Sequence, residues 1–519
     1  MNKELQSIIT LSNQYNLIPI VRTIMADTET PIRLFKQFAK KPYAFLLESV
    51  EGGVKWARYS FIGTDPFLLL YGKNGQMVFE ERGNKTIFSE KPLELLKAKM
   101  RKFRTPKQSN LPPFTGGAIG YFGYDLLQYY ENLPAHQIDD LNMNDVHFMF
   151  CDQIIVFDHL TQQLMLVSNI HIKDGASDSD IEQAYNDTVN KIEQLIVDIR
   201  NSKVSMDIPT GNLNLDPELG DVKSNVTKEQ FIANVEQAKE YIRAGDIFQV
   251  VLSQRFSIDT TIDPLHVYRV LRIMNPSPYM YYLKMNDEVI VGTSPEALVK
   301  VADGKVETRP IAGTRPRGAT VEEDKRLELE LLADEKEKSE HLMLVDLGRN
   351  DIGRVAKFGS VKCDAYMEIE RYSHVMHIVS NVSGEMREDK DFFDAFISCL
   401  PAGTVSGAPK LRAMEIIAEL EREARGAYAG AIGYLGFSGS SDACITIRTI
   451  VFKDNKAYVQ AGAGIVWDSV PESEYLETCN KAKASLKAIR AAEGMFSQSS
   501  VNQSVADINF DYEIVQGEV

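Results

Sequence analysis

Cysteine is scarce in this chain of 519 residues. Only Cys151, Cys363, Cys399, Cys444 and Cys479 are present, and no two form a C-x-x-C pair. An odd, scattered set argues against a disulfide framework and a zinc ribbon, and it suits a reducing compartment. Long apolar runs are also missing. No stretch approaches the roughly 20 residues needed to span a bilayer, and the opening MNKELQSIITLSNQYNLIPI lacks a basic region followed by a sustained apolar one. The expectation is a soluble, cytoplasmic protein without a membrane partner. Nor is there a basic excess. Lys+Arg number 57 against 73 Asp+Glu, a formal charge of −16, so nucleic acid is not expected, because binding its backbone needs a cationic surface. An anionic small molecule remains open, provided a few placed cations meet its charge. No internal repeat is visible.

With 44% hydrophobic and 25% charged residues the composition is that of a globular protein. The length allows two to four domains or one very large one. Residues 40–170 read as strands and turns, with β-prone runs at 44–47, 58–62, 67–71 and 77–80 and a hairpin signal at Asn74-Gly75. Val189, Ile192, Ile196 and Ile199 form a helix stripe. Residues 206–226, rich in Pro, Gly and Asn without periodicity, are the best linker candidate. Thr227 and Gln230 read as a capping box for a helix carrying Phe231, Val235, Ala238 and Ile242, with Gly245 as its stop. Residues 247–256 alternate Gln249, Val251, Ser253 and Arg255 against Phe248, Val250 and Leu252, a strand pattern. Further strands are expected at 289–291, 377–382, 431–437, 444–452 and 457–461, and helices at 322–347, 410–423 and 473–492. Strands and helices intersperse without strict alternation, which predicts an α+β fold. The chain divides into an amino-terminal half (1–205), the linker (206–226), a second half (227–493) and a polar tail (494–519).

Two carboxylate pairs stand out, Glu337-x-x-Glu340 and Glu474-x-x-Glu477. Spacing of three puts both members on one helix face, and two such helices together would offer an all-oxygen site suited to Mg²⁺. Exposed pairs of this kind are common, and Glu477 with Lys481 also reads as a plain helix-stabilising ion pair. A di-iron site is excluded, because it wants Glu-x-x-His and His341 is directly beside Glu340. His374 and His377 would point to opposite faces of a strand and cannot share a metal. A single inward histidine could be an acid–base group or a structural one. Gly403…Lys410 lacks the phosphate-loop spacing, and Gly462-Ala463-Gly464 lacks the third glycine of a dinucleotide site. Both could still present backbone N–H groups to a carboxylate. Arg309, Arg315 and Arg317 around Gly313-Thr314 read either as a carboxylate clamp or as solvated loop charges. NPSPYMYYL, with rigid prolines beside tyrosines, reads as a pocket wall or a packed corner.

In this order along the chain, FQVVLSQRF, GTSPE, RPIAGTR, SEHLMLVDLGRND, LPAGTVSGAPK, GAYAGAIGY, ITIRT and AGAGIV resemble the chorismate-utilising enzymes over residues 227–490. The amino-terminal LLESVEGGVKWARYSFIG is similar to the corresponding half of the anthranilate synthase component I family. The resemblance implies a four-layer α/β/β/α sandwich of two mainly antiparallel sheets, with a smaller regulatory or partner-binding subdomain. It implies Mg²⁺ held by Glu340 and Glu477, with Glu337 and Glu474 as second carboxylates. Lys481, Gly462, Ala463 and Gly464 would surround the ring carboxylate of chorismate. Arg448 and Tyr428 would hold the enolpyruvyl end, and Gly313, Thr314 and Thr404 would line the ring. Glu296 matches the acid that protonates the departing C4 hydroxyl, and His377 the histidine tied to loss of pyruvate. His374 has no role.

Two positions separate subfamilies. Relatives that add water carry a lysine base where this chain has Gln249, and aminodeoxychorismate synthases carry a lysine nucleophile where it has Ala312. Both point to anthranilate as product, formed with ammonia. No glutaminase triad is evident, so a separate glutamine amidotransferase subunit is implied, in a hetero-oligomer. Ser49, Lys55, Pro278, Tyr279 and Met280 match the family's tryptophan-binding positions, which implies feedback inhibition. The rivals are an aminodeoxychorismate synthase component I, disfavoured by Ala312, and a non-catalytic tryptophan-sensing module, disfavoured by the intact Glu296, Glu340, His377, Arg448 and Glu477.

Overall fold

The strands Gly117–Phe122 and Val146–Cys151 are buried at every position. Such strands belong to sheets covered on both sides, and both covers are present. The computed structural model describes residues 2–49, 58–202, 204, 208–209, 213–372 and 375–496. Lys55, His374, most of residues 203–212 and the tail from 497 therefore lie outside the described residues. Among these residues the chain builds two twelve-stranded sheets, antiparallel at each of their pairings. One runs from Leu17–Met25 through Gln163–His171, Gln153–Asp158, Tyr59–Thr64 and Tyr43–Glu48. It continues into Tyr279–Met285, Glu288–Ser294, Thr449–Lys453, Lys456–Ile465 and Gln249–Asp259. The other contains Ile311–Pro316, Val375–Glu385, Ala297–Ala302, Ser441–Ile445 and Ala431–Gly436, followed by Gly117–Phe122 and Val146–Cys151.

The facing sides share a core of Phe45, Phe61, Ile119, Tyr121, Met149, Tyr281, Ile290 and Ile432. Helices Asp178–Arg200, Pro264–Met274 and Pro471–Phe496 cover the outside of the first sheet. Pro92–Met100, Glu335–Gly353 and Phe392–Cys399 cover the second. This is the α/β/β/α sandwich. The amino-terminal strands complete both sheets rather than standing apart as a smaller subdomain. Tyr43–Glu48 pairs with Tyr279–Met285, and Gly117–Phe122 with Ala431–Gly436. The 206–226 segment thus joins the halves along the chain without separating them in space. Its last residues form a strand themselves, with Lys223 opposite Ser257.

Local signals mostly hold. Asn74 and Gly75 turn at φ 50° and 81°, as a two-residue hairpin requires. Thr227 caps its helix by accepting from Gln230 N–H, but the Gln230 side chain donates to Asn234 instead of reaching back, so half the capping box forms. Residues 322–347 make two helices, because Asp334 ends Val321–Ala333 and caps Glu335–Gly353. Helix 410–423 stops at Leu420. The strand expected at 444–452 is two strands in different sheets, since the chain crosses between them with Arg448 at φ 51°. Among the described residues no helix is long and apolar enough to cross a membrane.

Residues 1–205 expressed alone would expose the unpaired edges of Tyr43–Glu48 and Gly117–Phe122, so aggregation is expected. A soluble, monodisperse fragment with native-like secondary structure by circular dichroism would contradict the shared-sheet architecture.

Candidate active site

Two crossings between the sheets lie side by side. Strand Glu288–Ser294 belongs to the first sheet and Ala297–Ala302 to the second, so the chain crosses at Pro295 and Glu296. The other crossing joins Ser441–Ile445 to Thr449–Lys453. They are tied together by Ile445 N–H to Glu296 O at 3.0 Å, Ser294 Oγ to Ile445 O at 2.7 Å and Thr293 N–H to Arg448 O at 3.2 Å. Glu296 and Arg448, far apart in sequence, are thereby placed on one seam.

Glu296 is buried, and its Oε1 accepts from Thr404 Oγ1 at 3.1 Å. Burial pushes its carboxyl up to about 8, against smaller lowering effects from Thr404 and Lys481. It is therefore a neutral acid at pH 7, the state a proton donor needs. His377 faces a bulge in the strand Ile311–Pro316, where Gly313 takes φ 70°. The bulge aims Gly313 O at His377 Nδ1, 3.0 Å away, with Thr314 Oγ1 at 3.1 Å. A carbonyl can only accept, so Nδ1 carries the proton and Nε2 keeps its lone pair. Burial lowers the His377 pKa, which keeps the ring neutral.

Glycines clear the opposite wall. On strand Lys456–Ile465 a Cβ at Gly462 would meet the Tyr428 hydroxyl at 2.8 Å, and one at Gly464 would meet Gln249 Nε2 at 2.5 Å. Ala463 points to the other side, into the core. Burial raises the Tyr428 phenol to about 12, so it is a neutral donor. Arg448 donates to Lys481 O at 3.0 Å, and Lys481 Nζ donates to Gly462 O at 3.0 Å. Lys481 also pairs with Glu477 at 2.7 Å, the i,i+4 contact expected from spacing. Ala312 pairs with Ile378 beside the bulge.

The four candidate metal carboxylates share an electrostatic neighbourhood. Burial, then Glu337 and Glu477, raises the Glu340 pKa, and burial with Glu477 raises that of Glu474. Among the described residues no three His, Cys, Asp or Glu side chains lie close enough to hold an ion as they stand. The donor chemistry nevertheless fits a hard divalent cation, which would relieve this repulsion. The three arginines do not form a clamp. Arg315 is bonded to Glu330, Asp334 and Glu337, Arg317 to Asp324, and Arg309 pairs with Glu370.

Sequence reasoning passed over Arg425 and Glu421. Arg425 is buried, with Nη2 2.6 Å from Glu421 Oε1, and it donates to Val405 O and Val251 O at 2.8 Å each. The pair was hidden in the charged run EREAR, where helical spacing gave no reason to single out one arginine. Lys410 was also unassigned. It bonds Asp351 at 3.2 Å and the last carbonyls of helix Phe392–Cys399, under the loop that carries Thr404.

On the other side of the Glu296 crossing, reached by its neighbours Pro295 and Ala297, a cavity of about 390 Å³ opens between the sheets. Ser49, Pro278, Tyr279 and Met280 line it together. Ser49 follows the buried Glu48, whose carboxylate accepts from Tyr268 at 2.6 Å and Ser60 at 3.1 Å.

A carboxylic acid still protonated at neutral pH, a neutral histidine and a glycine-lined wall, joined across two antiparallel sheets, form a site suited to acid–base chemistry on a small molecule. A family model described as chorismate binding enzyme matches residues 47–487, and the chain belongs to that family. Relatives named anthranilate synthase component 1 from Acetivibrio thermocellus and Aquifex aeolicus (strain VF5) are 56% and 48% identical to it. They align over 94% and 95% of this chain and 98% and 99% of their own. A crystal structure of anthranilate synthase component I from Streptococcus pneumoniae TIGR4 superposes with a TM-score of 0.73 at 39% identity, covering 89% of this chain and 99% of that one.

The raised Glu296 pKa has a consequence for stability. The folded chain keeps this proton up to about 8, whereas the ordinary value is 4.5. The folded state binds more protons between those values, so the contribution of Glu296 to stability falls as pH rises through them. Glu296→Gln, which cannot ionise, is expected to match the parent's Tm near pH 5 and exceed it at pH 8–9. Parallel Tm curves would mean an unshifted carboxyl.

Proposed function

We propose that this chain converts chorismate and ammonia to anthranilate, as the chorismate-binding component of an anthranilate synthase. Near-full-length likeness to relatives of that name carries the reading. Gln249 and Ala312 stand where water-using and 4-aminating relatives carry lysines, and they support the ortho product. Arg448, Tyr428 and Lys481 hold the carboxylates of the substrate, and the backbone at Gly462–Gly464 approaches the ring closely. Ammonia adds at C2 while the neutral Glu296 gives its proton to the C4 hydroxyl, which leaves as water. The product of this step is 2-amino-2-deoxyisochorismate. His377, with its proton fixed on Nδ1 by Gly313 O, offers Nε2 to the C2 proton. The C–H electrons enter the ring, the C3–O bond breaks, and the departing enolpyruvate takes up a proton to become pyruvate. Glu340 and Glu477, with Glu337 and Glu474, would hold Mg²⁺, whose chemistry there is charge neutralisation of the ring carboxylate.

Ammonia comes from a glutamine amidotransferase subunit in a hetero-oligomer, and the complex works in the cytoplasm, where scattered thiols stay reduced. Tryptophan binds in the cavity lined by Ser49, Pro278, Tyr279 and Met280. A volume near 390 Å³ with tyrosine, methionine and proline walls suits an indole.

Three measurements test this reading. The purified chain with chorismate, Mg²⁺ and excess ammonium should produce anthranilate fluorescence, and a chelator should abolish it. If no fluorescence develops, the assignment fails. Glu296→Gln should lower kcat by roughly 10²–10⁴-fold, the usual worth of a positioned acid. Ser49→Phe should fill the cavity and make the activity insensitive to tryptophan, and retained full inhibition would place the inhibitor elsewhere.

A further inference from the structure

Behind Thr404 a cavity of about 40 Å³ joins the active site to the helix layer of the second sheet. Its wall holds Glu296 and Thr404 from the site, Asp351 from helix Glu335–Gly353, and Cys399 and Gly403. At ~10–15 Å³ each, about three water molecules fit. Glu296 and Asp351 are the two carboxyls in a wall otherwise built largely of Ala, Leu, Gly and Ile. Thr308, also in the wall, has its hydroxyl committed to Leu298 O at 2.9 Å. Asp351 is buried and stands apart from the candidate substrate and metal groups. Its Oδ2 accepts from Lys410 Nζ at 3.2 Å, and Asn350 and Arg354 flank it at the end of its helix. Burial raises its pKa against the lowering effect of these three neighbours. The Cys399 thiol is pushed up to about 12 and stays neutral. Solvent is close by, because Asn350 is exposed and lines an open surface depression that shares Leu347 with the cavity.

Amination uses up the Glu296 proton once per cycle. The C4–O bond breaks and the hydroxyl leaves as water, carrying that proton. The new C2–N bond first gives an ammonium, which sheds one proton to become the amine. Atoms and charge balance, but the Glu296 carboxylate must regain a proton before it can act again. We propose that Asp351 returns this proton to Glu296 from behind, through the cavity, while the front of the pocket is occupied. Asp351 protonates the cavity water, the water passes a proton to Thr404 Oγ1, and Thr404 passes its own to Glu296 Oε1, 3.1 Å away. A hydroxyl donates and accepts, so it relays a proton without a net change. Asp351 is then recharged from the solvent at Asn350, and Lys410 holds it in place. Asp351 touches no substrate atom and serves the reaction only through Glu296. The proposal rests on the reading that the chain aminates chorismate.

An Asp351 that merely anchors Lys410 predicts the same losses from either partner, so the test compares the two. In the ammonium-driven reaction, Asp351→Asn removes the proton carrier, and Lys410→Met removes only its partner. By rapid mixing, Asp351→Asn should complete its first turnover at the parent's rate, because Glu296 starts protonated. Later turnovers should slow at least tenfold, with KM for chorismate within twofold of the parent's. Imidazole, as a small buffer acid, should restore the slow phase in proportion to its concentration, and Lys410→Met should show no such burst. The proposal is overturned if Asp351→Asn keeps the parent's rate throughout, or if its first turnover slows with the rest. It is equally overturned if imidazole restores nothing, or if Lys410→Met gives the same burst. A first turnover at the parent's rate also shows that the variant folds. Should Asp351→Asn not fold, Cys399→Leu fills the cavity with Asp351 in place and must give the burst, and its absence overturns the proposal. A parent chain that makes no anthranilate from ammonium would defeat the underlying reading instead.

Discussion

The buried pair Arg425–Glu421 is the constraint on which the site depends. Arg425 reaches the carbonyls of Val251, in the first sheet, and Val405, in the loop beside Thr404. Glu421 accepts from the Ser253 backbone and hydroxyl, so both charges are satisfied on every side. The guanidinium also lies 4.6 Å from the Tyr124 ring centre, which ties in the amino-terminal half, and 5.6 Å from that of Tyr428. Taking two charges from water costs several kcal/mol per ion, and only saturated hydrogen bonding offsets that. What the pair contributes is position. Val405 is the neighbour of Thr404, and Thr404 is the hydrogen-bond partner of Glu296. The route from the buried ion pair to Glu296 thus runs through two residues, Val405 and Thr404.

The seam between the two crossings carries this logic to the second cavity. Pro295 and Ala297 flank Glu296, and both line the 390 Å³ cavity, while Glu296 and Ala297 line the small cavity at Thr404. Thr308 is common to both walls. The two cavities therefore share the peptide segment that carries Glu296. A ligand shifts an equilibrium only by its differential affinity for two states. A crossing shared by two cavities is an element whose position both occupants can bias. The proposed inhibition by tryptophan would then need no long pathway, because the wall itself is shared.

Much of this was legible in the sequence, but unevenly. Thr227, Gly245 and Asn74-Gly75 act locally, through φ angles and caps, so short-range reading recovers them. The face made by Gln249, Val251, Ser253 and Arg255 was also readable as alternation. Its whole strand is buried through Phe256, however, because the helices Lys228–Ala244, Lys410–Leu420 and Pro471–Phe496 and the Glu421–Arg425 pair pack against it. Glu296, His377 and the Gly462–Gly464 segment became candidates only through the order of motifs, since each motif alone is nonspecific. The crossing at Arg448 was not legible. Cys444 to Phe452 reads as one β-prone run, and nothing local says that its two ends belong to different sheets. Whether Arg315 was a carboxylate clamp or a solvated loop charge stayed open in the sequence for a similar reason. Its carboxylate partners Glu330, Asp334 and Glu337 come from neighbouring helices, and their approach is a tertiary fact.

The net charge of −16 stops being a puzzle once the site is resolved into its groups. A dicarboxylate substrate would approach Arg448 and Lys481, yet Lys481 is already paired with Glu477 and lies near Glu340. Left alone, Glu340 and Glu474 answer burial first, and the neighbouring carboxylates second, by holding protons more tightly, as their raised pKa values record. A divalent cation among them would reverse that response. The carboxylates would ionise, Lys481 would be freed from part of its pairing, and the local potential would turn positive within a pocket shielded from solvent. An acidic surface and an anion-binding pocket are then compatible, because screening confines the first to about 10 Å in ordinary salt while the low-dielectric interior preserves the second.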